Sequence, residues 1–134
     1  KFKNDFLKNI NKTQIIYKSN SHNIKNEIIN STCCVLPSYR EGLSRFLLES
    51  ISIGRPIITS DVPGCNILVD EDINGYLLKN ITSYNLFELF MKITSLPYTK
   101  INNFSLQSRK KSFKFDVNLI NEEIIIYIKK LLSN

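Results

Sequence analysis

Pro37-Ser38-Tyr39-Arg40-Glu41-Gly42-Leu43-Ser44-Arg45-Phe46-Leu47-Leu48-Glu49 is the stretch that decides the fold. The short apolar run before it, Cys33-Cys34-Val35-Leu36, has the composition of a buried strand and ends at a proline. A polar turn with one glycine, Gly42, follows. An amphipathic helix then runs from Ser44 to Ile53, with Ser44 at its N-cap and Gly54 stopping it. Two carboxylates frame this strand–loop–helix unit, Glu41 at its mouth and Glu49 inside its helix. Loops at the carboxyl ends of parallel strands are where open α/β sheets bind ligands. The amides that start such a helix favour anions.

Outward from this unit, strand and helix patterns alternate. Gln14-Ile15-Ile16-Tyr17-Lys18 is a β-branched and aromatic run, and Ser19-Asn20-Ser21 reads as the turn closing it. His22 to Asn30 carries Ile24, Ile28 and Ile29 at helical spacing, with Ser21 as a candidate cap. Thr32 to Leu36 and Pro56 to Ser60 read as the next strands, the latter closed by Asp61-Val62-Pro63-Gly64. A short helix over Asn66–Val69 and a turn at Asn74-Gly75 lead to Tyr76-Leu77-Leu78. Beyond residue 80 the pattern turns helical over Tyr84–Leu96, Ser105–Ser112 and Asn118–Leu132. Short links between these elements predict parallel βαβ units with right-handed crossovers. The expected fold class is therefore α/β, a Rossmann-like parallel sheet with flanking helices and a helical C-terminal extension. Residues 1–134 form one domain in this reading, with βα units over 14–80 and a helical tail over 82–132.

The bulk numbers agree with a single domain. A chain of 134 residues with 43% apolar content can bury a core. No apolar stretch approaches the roughly 20 residues of a membrane span. The three cysteines make neither a disulfide framework nor a zinc spacing, which fits a reducing cytoplasm. Cys33 and Cys34 are adjacent, so a strand sends them to opposite faces, and Cys65 sits by itself in a loop. The net charge is +6, but the basic residues are dispersed. Their densest cluster, Arg109-Lys110-Lys111 with Lys114, reads as a solvated face, with attraction to an anionic membrane as the alternative. Phe113 and Phe115 beside it are expected as core anchors, so no nucleic-acid surface is expected.

Seven residues lie between Glu41 and Glu49. That spacing alone is common among surface acids. Here it sits in Pro-Ser-x-x-Glu-Gly-Leu-Ser-x-x-Leu-Leu-Glu-Ser-x-x-x-Gly-x-Pro-Ile-Ile-x-Ser-Asp-Val-Pro-Gly, residues 37–64. This string resembles the donor-binding half of the retaining glycosyltransferases of family 4, which have the GT-B architecture of two Rossmann-like domains, from about Val35 to Leu78.

The resemblance implies roles residue by residue. Glu41 matches the motif glutamate that contacts the hydroxyls of the donor sugar and is the expected catalytic residue. Gly42 and Leu43, with Ser44 close behind, match positions that offer backbone amides to sugar or diphosphate. Glu49 matches the glutamate that binds the ribose hydroxyls. Apart from the resemblance, Arg40 and Arg45 flank the motif as candidate partners for phosphate or for the glutamates, Arg45 on a helix face reading more simply as a surface residue. Ser19, with Lys18 and Asn20, lies where the family holds the base, although the family often has glycine near Ser19. Asp61 to Cys65 would share the same sheet edge. His22, the single histidine, reads as an exposed or capping residue. Asp70-Glu71-Asp72 reads as a solvated turn, and no metal or other cofactor is expected.

The implied donor is a nucleotide sugar, UDP-N-acetylhexosamine by general resemblance, and the implied acceptor is a saccharide or a lipid-linked one in bacterial polysaccharide assembly. Such enzymes work in the cytoplasm, in some cases peripheral to the inner face of the membrane. The segment before Gln14 is too short for the strand and helix that carry the family's basic pair, and Lys1, Lys3 and Lys8 do not map onto it. The chain is therefore expected to match the last two-thirds of a donor domain, with the N-terminal acceptor domain or subunit outside it. An alternative is a non-catalytic nucleotide-binding module that needs such a partner. An open sheet edge would also invite association, a homodimer being the simplest form.

Overall fold

The computed structural model describes residues 15–18 and 23–133. Lys1, Lys3, Lys8, Gln14, Asn20 and His22 lie outside the described residues, and so do Ser19, expected at the base, and Ser21, expected as a helix cap. In chain order the elements are α1 (Ile24–Ile29), β1 (Cys34–Leu36), α2 (Arg45–Ile53), β2 (Ile57–Ser60), a 3-10 turn (Asn66–Leu68), β3 (Gly75–Leu78), α3 (Ser83–Thr94), α4 (Tyr98–Ser112), a second 3-10 turn (Phe113–Phe115) and α5 (Val117–Leu132). The strands form one parallel sheet in the order β1-β2-β3. Cys34 pairs with Ile57, and Ile57 in turn with Gly75. All three strands thus end on one edge, at Leu36, Ser60 and Leu78.

The sheet is covered on both faces, as parallel sheets require. Alternation along the strands divides the core. On one face Cys34, Ile57, Leu47, Ile51, Cys65 and Leu68 form a buried cluster with Ile28. On the other, Ile58, Tyr76, Ile93 and Phe104 form a second, with Cys33 and Val35 packed against it. The adjacent cysteines do face opposite sides of β1. Cys65 is more than a loop residue: the 3-10 turn carries it into the first cluster, where it is fully buried.

Burial raises the Cys33 thiol from its usual 9.0 to about 12, the neighbouring Cys34 adding to the effect. Tyr76, buried and donating its hydroxyl to Asp72 at 3.1 Å, is likewise pushed up to about 12 by burial first and Asp72 second. A folded-state pKa above the unfolded one contributes stability below the unfolded value, and that contribution is lost as pH rises through the folded one. The urea midpoint is therefore expected to fall as pH rises from about 9 toward 12, and Cys33→Ala is expected to soften that fall. A midpoint that is flat across this range in the wild-type chain would contradict the burial of both groups.

Four sequence expectations need correction. Residues 15–18 carry no regular secondary structure. The β-propensity of Ile15-Ile16-Tyr17 reflects fitness for a packed sheet rather than an intrinsic backbone preference, and all four side chains are exposed, Lys18 pairing with Glu27 of α1 at 2.5 Å. The turn expected at Asn74-Gly75 lies earlier, over residues 72–74, so that Asn74 ends it and Gly75 is outside it. Asn74 is buried, its Oδ1 accepting from the Asp70 amide at 2.7 Å and its Nδ2 donating to the Leu68 carbonyl at 3.0 Å, while Gly75 opens β3. The chain reverses at Asp72, whose φ is 59°. Phe113 is exposed, with the Arg109 guanidinium 4.9 Å from its ring centroid, and only Phe115 packs on a core. Finally, α4 begins at Tyr98 rather than Ser105, because Ile101 and Phe104 already reach the second cluster and override a poor local propensity.

The last helix has the expected extent and apolar stripe, yet none of its residues is buried, and Ile124, Tyr127 and Leu131 stand exposed. No helix among the described residues is long and apolar enough to cross a membrane.

Candidate functional site

The carboxyl edge of the sheet carries two loops that clasp each other. The first, Pro37 to Leu43, leaves β1 and enters α2 through Ser44, a buried N-cap whose Oγ accepts from the Leu47 amide at 3.4 Å. The second, Asp61 to Cys65, leaves β2. Ser60, buried at the end of β2, accepts from the Ser38 amide at 2.9 Å, and Thr59 Oγ1 donates to the Leu36 carbonyl at 2.8 Å. These bonds staple the ends of β1 and β2 together. Gly64 closes the clasp. It has φ +83°, and a Cβ there would lie 2.0 Å from the Gly42 carbonyl oxygen. Its own carbonyl accepts from the Ser44 amide at 3.4 Å.

The structure distinguishes the expected site residues. Glu41 is exposed at the loop mouth, its Oε1 accepting from Ser38 Oγ at 3.2 Å. Gly42 has nothing within 4 Å of where a Cβ would stand, and its φ is not in the left-handed region. It contributes open space above the backbone, not an unusual angle. Among the described residues none accepts from the amides of Gly42 or Leu43, whereas the Ser44 amide is already engaged by Gly64. Leu43 is exposed and Ser44 is not, so Ser44 acts as a cap that orients the helix start rather than as a surface donor. Arg40 and Arg45 are exposed, and no ion pair to either is found among the described residues.

Glu49 projects from the outer side of α2 into a groove of about 380 Å³ shared with Asn23, Ile24 and Lys25 from the start of α1 and with Ser52 and Ile53. Asn23 caps α1, its Oδ1 accepting from the Asn26 amide at 3.1 Å. Glu41 and Glu49 thus occupy two places, a loop mouth and a groove between helices, joined by the N-terminal turn of α2. A cavity of about 730 Å³ lies at the other end of the strands, lined by residues 30–32, by Arg55 and by α3 and α4, away from both glutamates. Asp61 is held by Asn66, whose Nδ2 donates to Asp61 Oδ1 at 2.9 Å.

Asp70, Glu71 and Asp72 do not converge. Asp70 pairs with Lys111 at 2.5 Å, Glu71 accepts from the Leu77 amide at 2.7 Å, and Asp72 takes Lys100 at 3.3 Å. The Tyr76 hydroxyl, then Lys100, holds the Asp72 carboxyl below its usual range. Among the described residues no group of three or more His, Cys, Asp or Glu is arranged to hold a metal ion.

Sequence reasoning assigns no role to Ser38, Ser60, Asn23 or Lys25. Ser38, Ser60 and Gly64 stand in the motif string, but their contacts join residues 22 positions apart in one case and two separate loops in the other. No local signal marks Asn23 or Lys25 as neighbours of Glu49.

The family model described as glycosyl transferases group 1 matches residues 3–111. A Campylobacter jejuni protein named N,N'-diacetylbacillosaminyl-diphospho-undecaprenol alpha-1,3-N-acetylgalactosaminyltransferase is 23% identical over 96% of the chain, which covers 34% of that relative. A UDP-Gal:alpha-D-GlcNAc-diphosphoundecaprenol alpha-1,3-galactosyltransferase of Escherichia coli is 38% identical over 58 residues, 43% of the chain and 15% of the relative. The chain therefore spans about a third or less of the length of these curated relatives. Among solved structures, HepE of Anabaena in complex with UDP-glucose superposes with a TM-score of 0.77, at 18% identity over 96% of the chain and 38% of HepE. The C-terminal domain of the group 1 glycosyl transferase LpcC of Francisella tularensis gives 0.68, at 18% identity over 87% of the chain and 63% of that domain. With a matched segment that includes both glutamates, the clasped loops and the parallel sheet of the described residues, this chain belongs to the glycosyl transferases group 1 family and has the fold of a GT-B C-terminal domain.

Proposed function

We propose that this chain binds the nucleotide-diphosphate sugar of a retaining family 4 glycosyltransferase, with UDP-N-acetylhexosamine as the donor. The observation that carries this reading is the joining of three features by the start of α2: the exposed Glu41, the open amides of Gly42 and Leu43, and Glu49 in the adjoining groove. A ribose presents two vicinal hydroxyls, which one carboxylate can accept together; Glu49 is assigned that role. The diphosphate is assigned to the amides of Gly42 and Leu43, where the N-terminal dipole of α2 favours negative charge, and Arg40 to its outer oxygens. The sugar hydroxyls fall to Glu41 as catalytic residue. As the sugar leaves, the same amides stabilise the charge developing on the diphosphate, which requires no metal.

The acceptor is proposed to be a lipid-linked saccharide in bacterial polysaccharide assembly, a reading supported by the diphospho-undecaprenol substrates in the names of both curated relatives. It would be bound by an N-terminal domain or subunit outside this chain. Cytoplasmic location and peripheral attachment to the inner face of the membrane belong to the same proposal. Association with a second copy rests on the apolar groove of about 360 Å³ beside β1.

The test is calorimetric titration of the chain with UDP and UDP-sugars beside a Glu49→Ala variant. Losing the charged acceptor is expected to weaken binding by about 1–3 kcal/mol. Unchanged UDP affinity in Glu49→Ala would remove the ribose from this groove, and no UDP binding by the folded wild-type chain would overturn the donor-site reading for this polypeptide.

A further inference from the structure

We propose that Ser38 is a positioning residue that holds the Glu41 carboxylate toward the donor sugar, a role that rests on the donor-site reading above. Glu41 is exposed on a loop, and an unrestrained glutamate there would sample several rotamers. Ser38 restrains it. Its Oγ donates toward Glu41 Oε1 at 3.2 Å and lies at the same distance from the Arg40 carbonyl oxygen. Ser38 is itself fixed, because its amide donates to the Oγ of Ser60, which is buried at the end of β2. A rigid sheet edge is thus connected to the carboxylate through two hydrogen bonds, Ser60 to Ser38 and Ser38 to Glu41. A carboxylate has roughly four acceptor sites. With Oε1 engaged at one of them, Oε2 remains open to the sugar hydroxyls. Sites built to act on one sugar need such restraint, since a loosely held group loses most of its directional selectivity.

The competing account makes Ser38 a loop staple only, through the Arg40 carbonyl. The two accounts separate experimentally. UDP engages the proposed ribose and diphosphate contacts, whereas UDP-N-acetylglucosamine, a member of the proposed donor class, adds sugar hydroxyls for Glu41. Ser38→Ala is expected to bind UDP within about twofold of wild type while the affinity of UDP-N-acetylglucosamine relative to UDP falls about threefold to tenfold. Ser38→Thr keeps the hydroxyl and is expected to restore the wild-type ratio. Equal losses for both ligands, or no loss for either, would overturn the proposal. A second readout needs no ligand: three-bond NMR couplings along the Glu41 side chain are expected to show one fixed rotamer in wild type and Ser38→Thr, and averaging in Ser38→Ala. Averaged couplings in the wild-type chain would overturn the positioning role whatever UDP does. Fixed couplings with no UDP binding would instead overturn only the donor-site reading.

Discussion

Gly75→Ala is expected to destabilise the chain by about 4 kcal/mol and to lower its melting temperature by roughly 10–20 °C. The cause is close approach within the sheet. Gly75 is the first residue of β3 and pairs with Ile57 of β2, and a Cβ placed on it would stand 1.9 Å from the Ile57 carbonyl oxygen. That oxygen is backbone, so no side-chain rotation relieves the contact. Either β2 and β3 separate locally or β3 shifts register, and a one-residue slip would turn Tyr76 and Leu77 to the wrong faces. The bond from the Ile57 amide to the Asn74 carbonyl, 3.2 Å, sits at the same point and would go with it. Against a total stability of about 5–15 kcal/mol for an ordinary domain, that is a large fraction. Thermal unfolding followed by far-ultraviolet circular dichroism would measure it, and a melting temperature within a few degrees of wild type would show that β2 and β3 are not this closely opposed.

Gly75 also shows where reading the sequence succeeds and where it fails. Asn-Gly is a strong turn signal because glycine tolerates positive φ, and a turn is the natural reading. The glycine serves a different need, the near contact of two backbones, which no local pattern reveals. The motif helix is legible to the residue because both of its ends are written locally, Ser44 as a capping hydroxyl and Gly54 as a left-handed stop at φ +85°. The short, continuous apolar runs likewise mark β1 and β2, and the two-residue repeat of a strand puts Cys33 and Cys34 on opposite faces. Ile15-Ile16-Tyr17 misleads because strand character is a property of the neighbours as much as of the run. In the site, Glu41 and Glu49 can be placed from the string alone. The geometry that restrains Glu41 cannot, since it depends on Ser60 at the end of another strand. The groove at Glu49 depends on the angle between α1 and α2, which is set by packing of Ile28 against Ile51 and its neighbours.

The two glycines that meet in the clasp should both lose UDP affinity on substitution by alanine, but only one of them should lose stability. Gly42→Ala places a methyl where nothing lies within 4 Å, at a φ outside the left-handed region, so stability should change by no more than about 0.5 kcal/mol. Yet that empty space is where a diphosphate would approach the Gly42 and Leu43 amides, and UDP affinity should fall by about tenfold or more. Gly64→Ala does the reverse in origin. A left-handed φ of +83° costs an ordinary residue about 1–2 kcal/mol, and the 2.0 Å approach to the Gly42 carbonyl forces the two loops apart for roughly 1–3 kcal/mol more. UDP affinity should drop here too, but as a consequence of a displaced motif loop and together with a clear loss in melting temperature. Measuring melting temperature and UDP affinity on both variants separates the roles. A Gly42→Ala chain that binds UDP like wild type would mean that the diphosphate does not lie on the start of α2. A Gly64→Ala chain that melts like wild type would mean that the loop after β2 is not what holds the motif loop, and the positioning of Glu41 would then fall to Ser38 and Ser60 alone.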